Sequence, residues 1–328
     1  MRFEPNYATS LSNHANHLSE AGRYEEALEY SSQALEIRRR LSQKNPDRFE
    51  PDFATSLSNY ANDLSEAGRY EDALGHSSQA LEIHRRLSQK NPDRFEPDFA
   101  TSLSNYANHL SALGKHDEAL EHDSQALEIR RRLSQKNPDR FEPDYADSLS
   151  NHASALGETG RYDEALDNSS QALEIRRRLS QKNPARFADD LFRSICFTQF
   201  LDWLNYQDKG ADESELDQML SFIPEHQHPL MLLFSAFVEG CMAKEQTARA
   251  AAFRRALSSW SELSTAGRTD AEPYRLCAAA WCAANEPADS EGAELLDDWR
   301  RFTERRQGRI PQWMSEVARR LQFRWPES

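Results

Sequence analysis

Residues 32–52 read SQALEIRRRLSQKNPDRFEPD, and the same string returns almost letter for letter at 78–98, 124–144 and 170–190. Counted from its RFEP element, the period is constant: the units begin at Arg2, Arg48, Arg94 and Arg140, 46 residues apart, and a faded fifth start, RFAD, follows at Arg186. A fixed period of this size marks a stack of small units, none of which can bury its own apolar face alone. The period divides the chain into four repeats, 2–47, 48–93, 94–139 and 140–185, making a repeat region over 2–185 and an unrepeated region over 186–328.

Each repeat contains two helical patterns. In the second, Phe53, Leu57, Tyr60, Ala61 and Leu64 recur at helical spacing, with Pro51 suited to a first turn and Gly68 to a left-handed stop. Tyr70, Ala73, Leu74, Ser77, Ala80, Leu81 and Leu87 continue the period until the Asn91-Pro92 pair ends it. With 38% hydrophobic and 29% charged residues, and only 11 glycines, the composition favours helices with one wet face. Glu36 and Arg40 stand four apart in the favourable order, as do Glu82 and Arg86, Glu128 and Arg132, and Glu174 and Arg178. The arginine triplet therefore reads as a solvated helix face.

Two helices joined by a Gly-Arg-Tyr turn, with small Ala61, Ala73 and Ala80 where they meet, resemble the tetratricopeptide repeat. GRYEEAL, GRYEDAL, GKHDEAL and GRYDEAL, each followed by QALEI, carry the resemblance over residues 2 to 185. A unit of 46 residues against the usual length of about 34 resembles the long-unit arrays of the kinesin light chain kind. The resemblance implies an all-α fold: a right-handed α-solenoid of antiparallel helix pairs, here followed by an irregular helical C-terminal region. It also implies a protein-protein interaction scaffold rather than an enzyme, with an extended peptide or partner segment held in the concave groove formed by the first helix of each pair.

That first helix carries a polar stripe opposite its leucines: Thr9, Asn13, Asn16 and Glu20; Thr55, Asn59, Asn62 and Glu66; Thr101, Asn105 and Asn108; then Asp147, Asn151 and Ser154. In the family an asparagine ladder on this face can hold a peptide by its main chain, and Asn13, Asn59, Asn105 and Asn151 resemble it. A primary amide offers donor and acceptor together, so it can pair with a peptide unit whatever its side chain. Glu20, Glu66 and Glu158 beside the ladder favour basic ligands. The family's carboxylate clamp needs cations on this stripe, and Thr9, Thr55 and Thr101 stand there instead. His14, Tyr60, Tyr106 and His152 share a slot on the apolar side and read as packing residues.

The formal charge of −14 and a pI near 5.3 disfavour nucleic acid and anionic membrane surfaces as partners. The uncharged run HPLMLLFSAFV is too short to span a bilayer, which needs about 20 apolar residues, and with no leader visible the expected location is cytoplasmic. The GxxxxGK[ST], GxSxG, HExxH and GxGxxG motifs are missing, so no cofactor and no catalytic residue is expected. Cys196, Cys241, Cys277 and Cys282 form no CxxC pair. His226 and His228 could join Cys277 and Cys282 in a metal or nucleophile site only through unusual spacing, so the cysteines read as core residues. Helices are expected near 188–206, 212–222, 229–245, 247–263, 271–284, 289–307 and 311–323, capping the stack. In the arginine-rich tail, Trp299, Phe302, Trp313, Phe323 and Trp325 read as core anchors. Met1 leads straight into a full repeat, so the front end is expected to be an interface with upstream sequence or with another molecule, and self-association through it is the alternative function.

Overall fold

The structure is a computed structural model that describes residues 3–205, 229–263, 265–285, 292–306, 308 and 310–326; for Glu20, residues 265–270, 292–294 and Arg305 it describes the backbone only. The expected helix at 212–222, with His226 and His228, lies outside the described residues. Among those described there is no strand, and fourteen helices follow one another. These are α1 (Glu4–Glu20), α2 (Tyr24–Lys44), α3 (Pro46–Glu66), α4 (Tyr70–Lys90), α5 (Pro92–Ala112), α6 (His116–Lys136), α7 (Pro138–Glu158) and α8 (Tyr162–Lys182) in the repeats. After them come α9 (Pro184–Asn205), α10 (Pro229–Met242), α11 (Gln246–Trp260), α12 (Thr265–Asn285), α13 (Gly292–Arg305) and α14 (Gln312–Leu321). The expected all-α architecture of successive packed helix pairs is what the chain adopts. Two compact units divide it, Met1–Phe141 and Glu142–Ser328, with the division falling inside α7.

Local chemistry explains each junction. The turn within a repeat closes on Gly22, Gly68, Gly114 and Gly160, all left-handed at φ of +73°, +77°, +71° and +75°. The Arg23 amide then reaches back to Leu18 O at 2.9 Å and the Gly22 amide to Ser19 O at 2.8 Å, satisfying carbonyls that the helix end would otherwise orphan. Between repeats the link is a single residue. Asn45 precedes Pro46, which drives it out of the α region, to φ −148°, and so ends α2. Pro46 opens α3 with a preset φ, and the Asn45 side chain accepts from the Arg48 amide at 3.2 Å. Asn91, Asn137 and Asn183 repeat the cap at 3.3 Å each.

From the second repeat onward the first helix thus starts at the Asn-Pro pair and not at the second proline. Pro51, Pro97 and Pro143 lie inside their helices, and Thr55 and Thr101 return a hydroxyl to the Pro51 and Pro97 carbonyls at 3.1 Å. The expected i,i+4 pairing of the triplet is also replaced. Arg40 pairs with Glu4 at 3.2 Å, Arg132 with Glu96 at 3.0 Å and Arg178 with Glu142 at 3.1 Å, each joining the end of the second helix to the start of the first. Arg86 pairs with Glu50 in the same way. These glutamates are more buried than Glu36 or Glu128, which pair instead with Arg39 and Arg131 three residues on.

Alanine sets the spacing of the stack: Ala54, Ala61, Ala73 and Ala80, like their counterparts in the other repeats, are wholly buried. Leu28 crosses from the first repeat onto Leu64 and Ala73 of the second, and Leu74 packs likewise against Ala107, Leu110 and Ala119. Each leucine so buried contributes about 1.5–3 kcal/mol, which a lone hairpin could not realise. The aromatic slot packs as expected in three repeats: His14 meets Tyr30, Tyr60 meets His76 and Tyr106 meets His122 edge-on, at 4.5, 5.0 and 4.9 Å between ring centres.

In the second unit α9 opens like a fifth first helix, with the Asn183 cap and Arg186 lying 4.9 Å over the Phe187 ring, and packs along α8. Past it the core becomes aromatic. Phe200 meets Phe237 and Trp313, Tyr274 stacks on Trp313 at 5.1 Å, and Trp299 stacks on Trp325 at 4.3 Å. The tail aromatics Trp299, Phe302, Trp313 and Phe323 are buried, as anchors should be, and Trp325 is half-buried. The helix expected at 271–284 begins earlier, at Thr265, and runs through Pro273. Arg320 of α14 donates to the Trp203 and Leu204 carbonyls and so caps the end of α9.

Candidate peptide-binding surface

In the first unit α1, α3 and α5 are the first helices of their pairs, and each packs on the next. Asn13 and Asn16 are exposed on α1; Asn59 is half-buried and Asn62 exposed on α3; Asn105 is half-buried and Asn108 exposed on α5. None of these six carboxamides hydrogen-bonds to another described residue. Glu66 is exposed near the end of α3, while the side chain of Glu20 lies outside the described residues.

Beneath the stripe is a feature the sequence reading assigned to solvent. The first arginine of the triplet turns inward: Arg38 of α2 donates to Thr9 of α1 at 3.2 Å and to Ser56 of α3 at 2.6 Å. One guanidinium thus ties two neighbouring first helices together from behind, and burial lowers its pKa. Arg130 of α6 donates to Thr101 and Ser104, both of α5, at 3.2 and 3.3 Å. His84 holds the slot in the second repeat, with Nδ1 2.5 Å from Ser102 Oγ and its buried Nε2 unpartnered. A signal was present, because positions 31, 34, 38 and 41 follow a 3-4-3 spacing that continues the buried face of α2.

Other titratable groups are interior. Burial pushes Asp123 up to about 7 against the opposing Arg130, and pushes His109 down to about 4. Asp63 is raised by burial, with a hydrogen bond to Ser31 working the other way. The buried thiols of Cys196, Cys241 and Cys277 are pushed upward by desolvation, away from the thiolate form a nucleophile or metal ligand needs. Among the described residues no cluster of three or more His, Cys, Asp or Glu could hold a metal ion, and no helix is long and apolar enough to cross a membrane.

The second unit contains a cavity of about 510 Å³. Asn151, Ser150, Ser154 and Asp147 of α7 form part of its wall, together with Arg176 of α8. Arg176 is buried and donates to Ser150 at 2.8 Å, to Asp147 at 2.7 Å and to Ser194. The lining also carries apolar side chains, among them Phe197 of α9, Met231 and Phe234 of α10 and Tyr274 of α12. Asn151 and Ser154 are exposed into this space.

With the paired helices, glycine turns and first-helix rows in place, the comparison with known proteins is direct. Tetratricopeptide repeat family profiles match residues 8–47, 53–93 and 98–178. The repeat region of the chain is made of tetratricopeptide repeats. A Podosopora anserina putative kinesin light chain with nearly identical repeats shares its fold at a TM-score of 0.52 and 21% identity, over 68% of this chain and 96% of that one. BtubC (BKLC) from P. vanneervenii matches at 0.53 and 21%, over 76% and 92%. A Rap protein complexed with Competence and Sporulation Factor matches at 0.59 and 13%, over 95% and 75%. No curated protein matches the sequence.

Proposed function

We propose that this protein is a non-catalytic scaffold that holds an extended peptide or partner segment along its first-helix faces. The observation that carries the reading is the row Asn13, Asn16, Asn59, Asn62, Asn105 and Asn108, exposed or half-buried and without a hydrogen bond to any other described residue. Amides in that state exchange water for a peptide main chain at little cost. Asn151 belongs to the same set, and Glu20 and Glu66 bias the choice towards basic ligands. The shared fold of a Rap protein in complex with Competence and Sporulation Factor is consistent with such a role. A cytoplasmic setting is part of the same reading. The test is a peptide selected by random display on the full chain: Asn59→Ala with Asn105→Ala should weaken it about tenfold with unchanged circular dichroism. Unchanged affinity would refute the ladder.

One observation favours a second reading. Phe3, just before α1, and Tyr7 on α1 are 77% and 57% exposed, although Phe49 and Phe53 in the same slots of the second repeat are half-buried. Self-association through this face predicts a mass that rises with concentration in light scattering and falls back to the monomer in Phe3→Ser/Tyr7→Ser. A monomer at every concentration would dismiss it.

A further inference from the structure

We infer that the cavity of about 510 Å³ in the second unit is an anchor pocket for one large apolar side chain of a peptide whose main chain meets Asn151. This rests on the peptide-binding reading above and names what the peptide must carry. The lining residues are of two kinds. Carboxamide and hydroxyl groups of Asn151, Ser150 and Ser154 suit a peptide backbone, and Phe197, Met231, Phe234 and Tyr274, all half-buried, suit an apolar side chain. Phe234 and Tyr274 lie 4.8 Å apart between ring centres, and Tyr274 is held by Trp313 behind it, so this part of the wall is braced. Met231 beside them can adapt to different shapes. The volume lies within the range of about 300–1,000 Å³ typical of ligand pockets, enough for a large side chain and its flanking peptide units.

Charge excludes the obvious competitor, an anion. Arg176 is already neutralised by Asp147 at 2.7 Å, and Arg193 on the same lining is paired with Asp190 at 2.6 Å. An acidic ligand would have to displace a carboxylate, whereas a neutral apolar group disturbs nothing. The fourth repeat departs from its siblings in the same sense. Where they have Thr9, Thr55 and Thr101 it has Asp147, which supplies the countercharge, and where they have Asn16, Asn62 and Asn108 it has Ser154, a smaller side chain on the cavity wall.

The experiment uses the full chain and fluorescein-labelled, amidated heptapeptide pools with randomised flanks and a central residue fixed as Phe, Leu, Ala, Lys or Asp, read by anisotropy. Pools with central Phe or Leu should bind about tenfold more tightly than the Ala pool, and the Asp pool no better than Ala. Ser154→Trp, which fills the cavity from an exposed helix position, should erase that preference, bringing the Phe and Leu pools level with the Ala pool measured on the same variant. Equal binding of the Phe and Ala pools, or a preference that survives Ser154→Trp, overturns the pocket and leaves the asparagine row standing. Failure of every pool to bind overturns both.

Discussion

Asp123 occupies a slot that the other three repeats fill with Ser31, Ser77 and Ser169. It is 6% exposed, and burial raises its carboxyl to about 7, with Arg130 two turns further along α6 opposing the shift. Because the folded-state value lies above the unfolded one, the protonated acid is the form the fold accepts. Stability is therefore complete below the ordinary carboxylate range, declines as pH rises towards 7, and is flat beyond. A shift of about three units at about 1.36 kcal/mol each sets a ceiling near 4 kcal/mol, and local relaxation makes about 2–4 kcal/mol the working range. Asp123→Ser, which restores the repeat pattern, should remove this loss. Urea midpoints of the two proteins should differ little at pH 4 and diverge at pH 8, with the variant more stable. Midpoints are the appropriate readout, since repeat arrays do not unfold as a single cooperative step. His109 sharpens the test: its folded-state value, near 4, lies below the usual imidazole range, so its contribution is present above pH 6.5 and lost as pH falls. The wild type should thus show two opposing slopes, and in the variant the decline towards pH 7 should shrink to what the raised Asp63 carboxyl contributes while the histidine's loss on acidification remains. A difference between the proteins that is the same at pH 4 and pH 8 would refute the reasoning.

Three further perturbations follow from the geometry. Gly68→Ala meets no atom within 4 Å but sits at φ +77°, so it should cost about 1–2 kcal/mol from the backbone alone, and Gly160→Ala, at φ +75°, should cost about as much, because the exposed Gln312 side-chain end it meets can swing aside; no loss in the same urea series would contradict the left-handed turn. Asn91→Ala removes the cap on the Arg94 amide and should cost about 1 kcal/mol in thermal or urea unfolding, while no loss would mean that the Asn-Pro link holds without its side chain. His84→Arg should gain the paired hydroxyl contacts that Arg38 makes with Thr9 and Ser56, raising stability by about 1 kcal/mol at pH 7; a lower melting temperature would show that the slot in the second repeat is too small for a guanidinium.

What the sequence made legible was the part governed by local backbone rules. A glycine that must be left-handed, a proline that forbids a helical predecessor and alanines at close approaches each act within a few residues, so the period, the hairpins and the stack follow from spacing. Destinations of long side chains do not. Glu36 and Arg40 are well placed for each other, yet Arg40 reaches Glu4, because a less solvated carboxylate across the hairpin offers the stronger partner. Arg38 looked like part of a wet face because its neighbours Arg39 and Arg40 are exposed, although its register is that of the core. The cavity could not be read at all, since its apolar wall comes from α9, α10 and α12, which have no repeat to set their register.

The copies also differ from one another in an ordered way. Their Asn-Pro ends are nearly invariant, and these ends carry the one-residue link, the cap and the ion pair of Arg40 or its equivalents. Their glycine-turn halves tolerate exchange: the aromatic slot swaps His14–Tyr30 for Tyr60–His76 and keeps the edge-on geometry, while Asp63, His109 and Asp123 enter the interior there. Asn13, Asn59 and Asn105 remain identical over these differing interiors, so a ligand read by them alone meets the same amide three times and can slip by one repeat at little cost. Register must then come from whatever is unrepeated along the stripe. Within the first unit that is the end of the row, where Ala112 takes the place of Glu20 and Glu66 and removes the carboxylate. A basic residue in the ligand would be favoured beside the second repeat and not beside the third, which is enough to turn a row of equal sites into a directed one.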